Sequence, residues 1–216
     1  MKPQIGVIGG GAIGLLFAAN LSEYAEVTVF VRREEQKREL QKSGLTYQGR
    51  NIMVSAALTR EIDRLNQQSI LFITVKSYQL KVLQAELAKV MPDIPLLFLQ
   101  NGLGHLKLLE TLPNKNIAIG VTSHGAYKSG DAEVELRGFG QTVFGFLRGG
   151  FDFAKLELFS GQDHFPFIFT TTILQAVYQK LIVNVAINPL TAILGVKNGE
   201  LLENSYFKKN YASCNC

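Results

Sequence analysis

Apolar positions along the chain fall into two patterns. One is a set of short, nearly unbroken runs: Ile5–Ile8, Val27–Val31, Ser69–Val75, Pro95–Leu99 and Ile117–Val121. Runs of this kind, rich in β-branched and aromatic residues, predict strands of a parallel sheet covered on both faces. The other pattern is helical. Leu15–Ser22 is amphipathic, Glu34–Ser43 has helical composition and ends before Gly44, and a helix is expected from about Gln79 to Val90. Strand and helix alternate through this part, which predicts an α/β fold of the Rossmann type: a doubly wound, mainly parallel sheet.

Between those runs the pattern is less regular. Leu45–Gln48 and Ile52–Ala56 predict short strands around Gly49, Arg50 and Asn51. Glu133–Arg137 and Gln141–Phe146 alternate around Gly138-Phe139-Gly140, and predict an antiparallel hairpin added to the sheet. Leu147–Phe169, with Gly149-Gly150 and Phe165-Pro166-Phe167, reads as a linker. Ile173–Leu194 then has the length and apolar content of one long helix, capped by Thr170 and bent or ended near Pro189. Lys180, Asn184 and Asn188 interrupt it, which favours a buried helix over a membrane span. The expected division is a nucleotide-binding domain over 1–165 and a helical substrate domain over 166–216.

The first strand opens into Gly9-Gly10-Gly11-Ala12-Ile13-Gly14. Three glycines at this spacing can mark a bare turn, but a strand before and a helix after make it a dinucleotide fingerprint. Gly9 permits the turn, Gly11 lets a pyrophosphate approach the backbone, and Gly14 lets helix and strand pack closely. The second strand ends at Arg32-Arg33. An acidic residue there would take the ribose hydroxyl of NAD, whereas arginine accommodates a 2′-phosphate. Arg32 is the expected ligand, Arg33 its possible substitute, and NADPH the expected cofactor; the alternative for Arg32 is a solvated surface arginine.

Composition adds limits. The 216 residues carry a net charge of +4, with the basic residues scattered, so no nucleic-acid partner is expected. Cys214 and Cys216 are too close together for a stapling disulfide and lack further zinc ligands. His105, His124 and His164 fit no metal spacing and are expected in loops or on the surface, so no metal is predicted. Nothing resembles a signal peptide, and the expected location is cytoplasmic.

On the long helix, Lys180, Asn184 and Asn188 recur every four residues and share one face. Such a stripe is either a solvent-facing surface or the wall of a substrate cleft, and spacing alone does not choose. The wider sequence does. Gly9–Gly14, Val75–Gln79, Gln100–Gly104, His124–Ala126, and above all Tyr178–Ala192 with Asn198–Leu201 resemble the ketopantoate reductase family, the NADPH-dependent 2-dehydropantoate 2-reductases of pantothenate biosynthesis.

That resemblance implies that Lys180 is the proton donor. Asn184, Asn188 and Asn198 would hold the substrate, and Asn101 would sit between nicotinamide and substrate. Gly9, Gly10, Gly11, Ala12, Ile13, Gly14, Arg32, Lys76, Gln79 and Ala126 would contact NADPH. It extends to about Lys208; Tyr178 stands where the family often has tryptophan, and the tail beyond does not resemble it. Family members continue with helices that bring a serine and a glutamate to the active site, and neither Glu200 nor Glu203 matches that glutamate. The expectation is therefore a C-terminally truncated reductase that binds NADPH, turns over a small 2-keto acid poorly, and forms homo-oligomers or self-associates through an incomplete helical domain. The alternatives are a non-catalytic NADPH-binding remnant and a related 2-keto acid dehydrogenase.

Overall fold

The computed structural model describes residues 2–150, 164–196 and 200. Strands β1 (Gln4–Ile8), β2 (Glu26–Val31), β5 (Ser55–Leu58), β6 (Ile70–Ile73), β7 (Leu96–Phe98), β8 (Ile117–Thr122), β11 (Thr142–Arg148) and β12 (Phe167–Phe169) form one sheet, ordered β12-β11-β8-β7-β6-β1-β2-β5. From β5 to β8 every pairing is parallel; β11 runs antiparallel to β8, and β12 parallel to β11. The chain leaves β1 toward β2 and β5, then returns to lay β6 on the other side of β1. The strand order therefore reverses at β1, and a crevice opens between β1 and β6 at their carboxyl ends.

Both faces of the sheet are covered, which explains the unbroken apolar runs. Helix α1 (Ala12–Leu21) packs on one face, where Leu15, Leu16 and Phe17 join Ile5, Val7, Val27 and Val29 in a buried core. On the other face lie α4 (Leu80–Leu87), α5 (Leu106–Glu110) and the start of α6 (Ile173–Leu194), whose Leu83, Leu109, Ile173 and Val177 pack with Ile8, Phe30, Leu71 and Ile73. Each such fully buried side chain contributes about 1.5–3 kcal/mol. Helices α2 (Glu34–Ser43) and α3 (Ile62–Leu65) lie between β2 and β6 in the chain.

Several details depart from the sequence expectations. The two alternating segments do not pair with each other. Strand β10 (Glu133–Gly138) turns back on β9 (Gly125–Gly130), and with β3 (Leu45–Tyr47) and β4 (Arg50–Ile52) forms a second sheet, ordered β4-β3-β10-β9, that packs over α1. β11 instead enters the main sheet, with Thr142 opposite Thr122. Both segments alternate and are flanked by glycine, a pattern that cannot say which neighbour each strand takes.

The expected linker also carries structure. Phe165 is buried and stacks on the His124 ring at 4.4 Å and 8°, and Phe167–Phe169 forms β12. Helix α6 runs through Pro189 to Leu194; Thr172, not Thr170, holds the N-cap position without a capping side-chain bond, and the Thr170 hydroxyl accepts the Thr172 N–H at 3.1 Å. It is not the buried helix expected. Only Ile173 and Val177 are buried, because its first two turns rest on β8 and β11, whereas Ile182, Val185 and Ile193 are exposed. By length and hydropathy alone this helix could also cross a membrane, a test that core helices of soluble proteins pass as well.

Candidate functional site

At the end of β1 the chain must turn sharply and lead directly into α1. Gly9 does this with φ 120°, a value other residues rarely adopt, and a Cβ there would lie 2.8 Å from Thr74 Oγ1. The Thr74 hydroxyl donates toward the carbonyl oxygens of Ile8 (3.0 Å) and Gly9 (3.1 Å), tying the end of β6 to the turn. Gly14 sits where helix meets turn: a Cβ there would be 1.8 Å from the Gly9 oxygen, so no side chain fits. Gly11 is the opposite case. A Cβ there would meet nothing within 4 Å, so its backbone borders open space. Gly11 is also the N-cap of α1, and no side chain caps that terminus or places an acid in its first turn, which leaves backbone N–H groups free for an anion.

That open space is a cavity of about 460 Å³ between the β1 turn, the end of β2 and the start of α4. Gly9, Gly10, Gly11, Ala12, Ile13, Arg32, Lys76, Gln79 and Ala126 line it, all expected from sequence. Gly14 stands behind it as a packing residue. Sequence reasoning missed Gln36, whose Nε2 donates to the carbonyls of Gly10 (2.7 Å) and Asp131 (2.9 Å), and Thr74; neither lies in a recognisable motif. Lys76 and Gln79 form one local unit, since the Lys76 N–H donates to Gln79 Oε1 at 3.0 Å.

The arginines differ. Arg33 Nη2 pairs with Asp131 Oδ1 at 2.5 Å, while Arg32 has no acidic partner among the described residues and projects from the end of β2 into the cavity's surface. A dinucleotide with a 2′-phosphate fits these features: donors at a helix N-terminus, space over Gly11 for a pyrophosphate, and an unpaired guanidinium.

The second group lies at the same sheet edge but outside the cavity. Since β1, β6, β7 and β8 are parallel, their carboxyl ends share one side. There Lys180 reaches back from α6, and its ammonium donates a hydrogen bond to the carbonyl oxygen of Thr122, the last residue of β8. Burial pushes the Lys180 pKa below its ordinary 10.5. Asn101 is exposed in the loop after β7, the strand between the cavity's β6 and Lys180's β8. Asn184, half-buried, and Asn188, exposed, follow Lys180 one and two turns along α6. Asn198 lies outside the described residues.

Of the histidines, His164 is exposed and stands 3.3 Å from Glu23. His105 and His124 lie in loops, one of the two placements expected, but both are buried. The His124 Nδ1 accepts a hydrogen bond from the Gly140 N–H at 3.1 Å, which fixes the turn that follows Thr122.

Comparison with known proteins agrees with this geometry. The family model described as "Ketopantoate reductase PanE/ApbA" matches residues 5–149, and its C-terminal counterpart matches residues 172–214, which carries the resemblance past Lys208 where the sequence reading ended it. A 2-dehydropantoate 2-reductase of Listeria monocytogenes is 38% identical over 206 residues, 93% of this chain and 69% of that protein. One from Bacillus subtilis is 37% identical over 92% of this chain and 67% of its own length.

The solved structure of a probable 2-dehydropantoate 2-reductase, panE, from Bacillus subtilis superposes with a TM-score of 0.81 at 35% identity, covering 95% of this chain and 71% of that one. D-mandelate dehydrogenase in a ternary structure with NADH and anilino(oxo)acetate gives 0.82 at 27%, covering 95% and 69%. With the glycine turn, the Lys180 helix and matches to both family models in one chain, this protein belongs to the ketopantoate reductase family.

Proposed function

We propose that this chain reduces 2-dehydropantoate to pantoate with NADPH. The observation that carries the reading is the position of the Lys180 ammonium, held by the Thr122 carbonyl at the carboxyl edge of the sheet where the glycine cavity also opens. When bound, NADPH supplies a hydride to the substrate's ketone carbon. The other groups are this chain's own. Gly10–Ile13 offer backbone N–H groups to the pyrophosphate, the Gly9 N–H being held by the Phe30 carbonyl at 2.9 Å, Arg32 takes the 2′-phosphate, and Lys76 and Gln79 border the same cavity.

As the carbonyl π bond becomes a C–O single bond, negative charge gathers on the oxygen. Lys180 stabilises that charge and transfers a proton to it, leaving a neutral amine that takes a proton back from solvent. Its burial favours this role, because an ammonium with a depressed pKa gives up its proton more readily. Asn184 and Asn188, on the same face of α6, are assigned to the substrate's carboxylate and hydroxyl, and Asn101 to the junction of nicotinamide and substrate. Family models that match 5–149 and 172–214 support dividing the chain near residue 165 into nucleotide and substrate parts, although β12 still adds to the sheet.

The 2-dehydropantoate 2-reductases of Listeria monocytogenes and Bacillus subtilis, 38% and 37% identical, are more similar in sequence than the mandelate enzyme at 27%, which favours the branched substrate over other 2-keto acids. The test follows 2-dehydropantoate-dependent oxidation of NADPH at 340 nm, with 2-ketoisovalerate and phenylglyoxylate as competing substrates. Faster turnover of either competitor, or binding of NADPH without turnover of any of the three, would reject the proposal.

A further inference from the structure

The cavity has an unusual balance of charge. Arg32, Arg33, Lys76 and Lys128 line it, against the single carboxylate Glu86. Two of those cations are already engaged from behind. Asp131, in the turn between β9 and β10 and thus in the second sheet, accepts hydrogen bonds on one oxygen, Oδ1, from Arg33 Nη2 at 2.5 Å and from Lys128 Nζ at 2.9 Å. Its backbone carbonyl accepts from Gln36 Nε2, the same group that holds the Gly10 carbonyl. The Asp131 turn is thereby latched to the end of β2, to α2 and to the glycine turn at once. Lys128 first, and Arg33 with it, keep the Asp131 carboxyl below the ordinary carboxylate range, so it is ionised at neutral pH.

We infer that Asp131 sets the cofactor preference of this site: it retains Arg33 and Lys128 and so leaves Arg32, of the cations that follow β2, available to a 2′-phosphate, with Lys76 after β6 the other cation it does not engage. The inference rests on the NADPH reading above and deepens it. One carboxylate facing two cations leaves a net charge of about +1 where bare Arg33 and Lys128 would give +2, and it fixes both side chains in directions set by the protein. Asp131 touches no cofactor in this arrangement. It is a positioning residue that acts through its two partners. Loss of its charge alone makes the cavity a stronger trap for the 2′-phosphate.

Asp131→Asn separates charge from structure, because the backbone carbonyl that holds Gln36 remains and the amide oxygen still accepts hydrogen bonds. NADPH and NADH are titrated by nucleotide fluorescence at low and high salt. The variant should bind NADPH about three- to tenfold more tightly at low salt. NADH affinity should move less than about twofold, and the NADPH gain should shrink as salt rises. Adding Arg33→Gln to Asp131→Asn should remove most of the gain.

Equal weakening of both cofactors, or no change in either, overturns the inference, since a purely structural latch gives the first and an idle ion pair the second. Where circular dichroism shows that Asp131→Asn does not fold, single substitutions with Asp131 in place decide. Arg33→Gln should then cost several-fold less NADPH affinity than Arg32→Gln, and an equal or larger cost overturns the inference. A wild-type chain that binds neither dinucleotide rejects the cofactor reading together with this one. A wild-type chain that prefers NADPH, with Asp131→Asn unchanged, rejects this inference alone.

Discussion

The ammonium of Lys180 is bound to the backbone carbonyl of Thr122, across the gap between α6 and the end of β8. Ile173, Val177 and Lys180 fall at i, i+4 and i+7 on α6, so the two buried apolar residues that seat the helix also aim the lysine at the sheet edge. A carbonyl can hold a lysine without neutralising it. The charge therefore remains for a developing alkoxide.

On that basis Lys180→Ala should lower turnover by about 10²- to 10⁴-fold, the usual worth of a positioned general acid, with NADPH affinity preserved. The pH profile supplies a second reading. The reaction needs the ammonium, and burial lowers the Lys180 pKa, so turnover should fall on the alkaline side at a pH below 10.5. Steady-state kinetics across pH, with nucleotide titration of the variant, check both. Wild-type turnover from Lys180→Ala would remove the lysine from the mechanism.

Much of this was legible in sequence, because the features concerned are local. The β1 turn is specified by Gly9, Gly11 and Gly14 within one stretch, and the covered sheet by its apolar runs. The Thr122 carbonyl was not legible, since any backbone carbonyl can accept a hydrogen bond and only folding selects which one meets Lys180. The ion pairs that distinguish Arg33 from Arg32 depend on Asp131, a long way along the chain and in a sheet whose β9 strand, Gly125–Gly130, has little apolar signal. The burial of His105 and His124 in their loops was not legible either, because burial of a lone polar residue leaves no periodic trace. Strand partnership failed for β10 and β11 for a related reason: alternation specifies a face, and not a neighbour.

Arg32 is the test of cofactor choice. It lines the cavity without an acidic partner among the described residues, so its guanidinium is available for a charge-assisted pair with a 2′-phosphate. Arg32→Asp replaces that pair by repulsion, and should weaken NADPH by about ten- to a hundredfold while changing NADH much less. Titration of both nucleotides reads the ratio. Unchanged preference for NADPH would assign the 2′-phosphate to another group.

Gly14 makes a different prediction, because it does not line the cavity. An alanine Cβ there would stand 1.8 Å from the Gly9 carbonyl oxygen and 2.5 Å from Thr74 Oγ1, so α1 or the turn must move. Gly14→Ala should destabilise the fold by about 1–3 kcal/mol, as overpacking in a tight core does. For a chain of this size that lowers the melting temperature by roughly 2–4 °C per kcal/mol. NADPH should bind more weakly because the turn carrying Gly11 has shifted. Gly11→Ala is the companion: its Cβ meets no protein atom, so it should leave the melting temperature nearly unchanged and weaken NADPH alone. Parallel melting and binding curves separate the two, and equal melting temperatures for both variants would refute the packing role of Gly14.

Acid stability follows from the buried histidines. His105 and His124 are both almost fully buried, and burial lowers the pKa of each below its ordinary 6.5. The folded-state values lie under the unfolded ones, so as pH falls through 6.5 the unfolded chain takes up protons that the folded chain resists. Their contribution to stability is whole above that pH and is lost progressively below it, at up to about 1.4 kcal/mol per pH unit for each histidine.

Asp131 and Glu61, whose pKa values are also lowered, act in the same direction but only below the carboxylate range, so the two windows do not overlap near pH 6. His124 carries a further penalty. Its Nδ1 accepts the Gly140 N–H, and a proton there would break that bond and set two donors against each other. Chemical denaturation at steps between pH 7.5 and 5 should show stability falling as pH drops. In His124→Phe, which keeps the stack on Phe165 and has no proton to take up, the slope should be shallower. A slope unaltered by that substitution would show that His124 is not a source of the acid sensitivity.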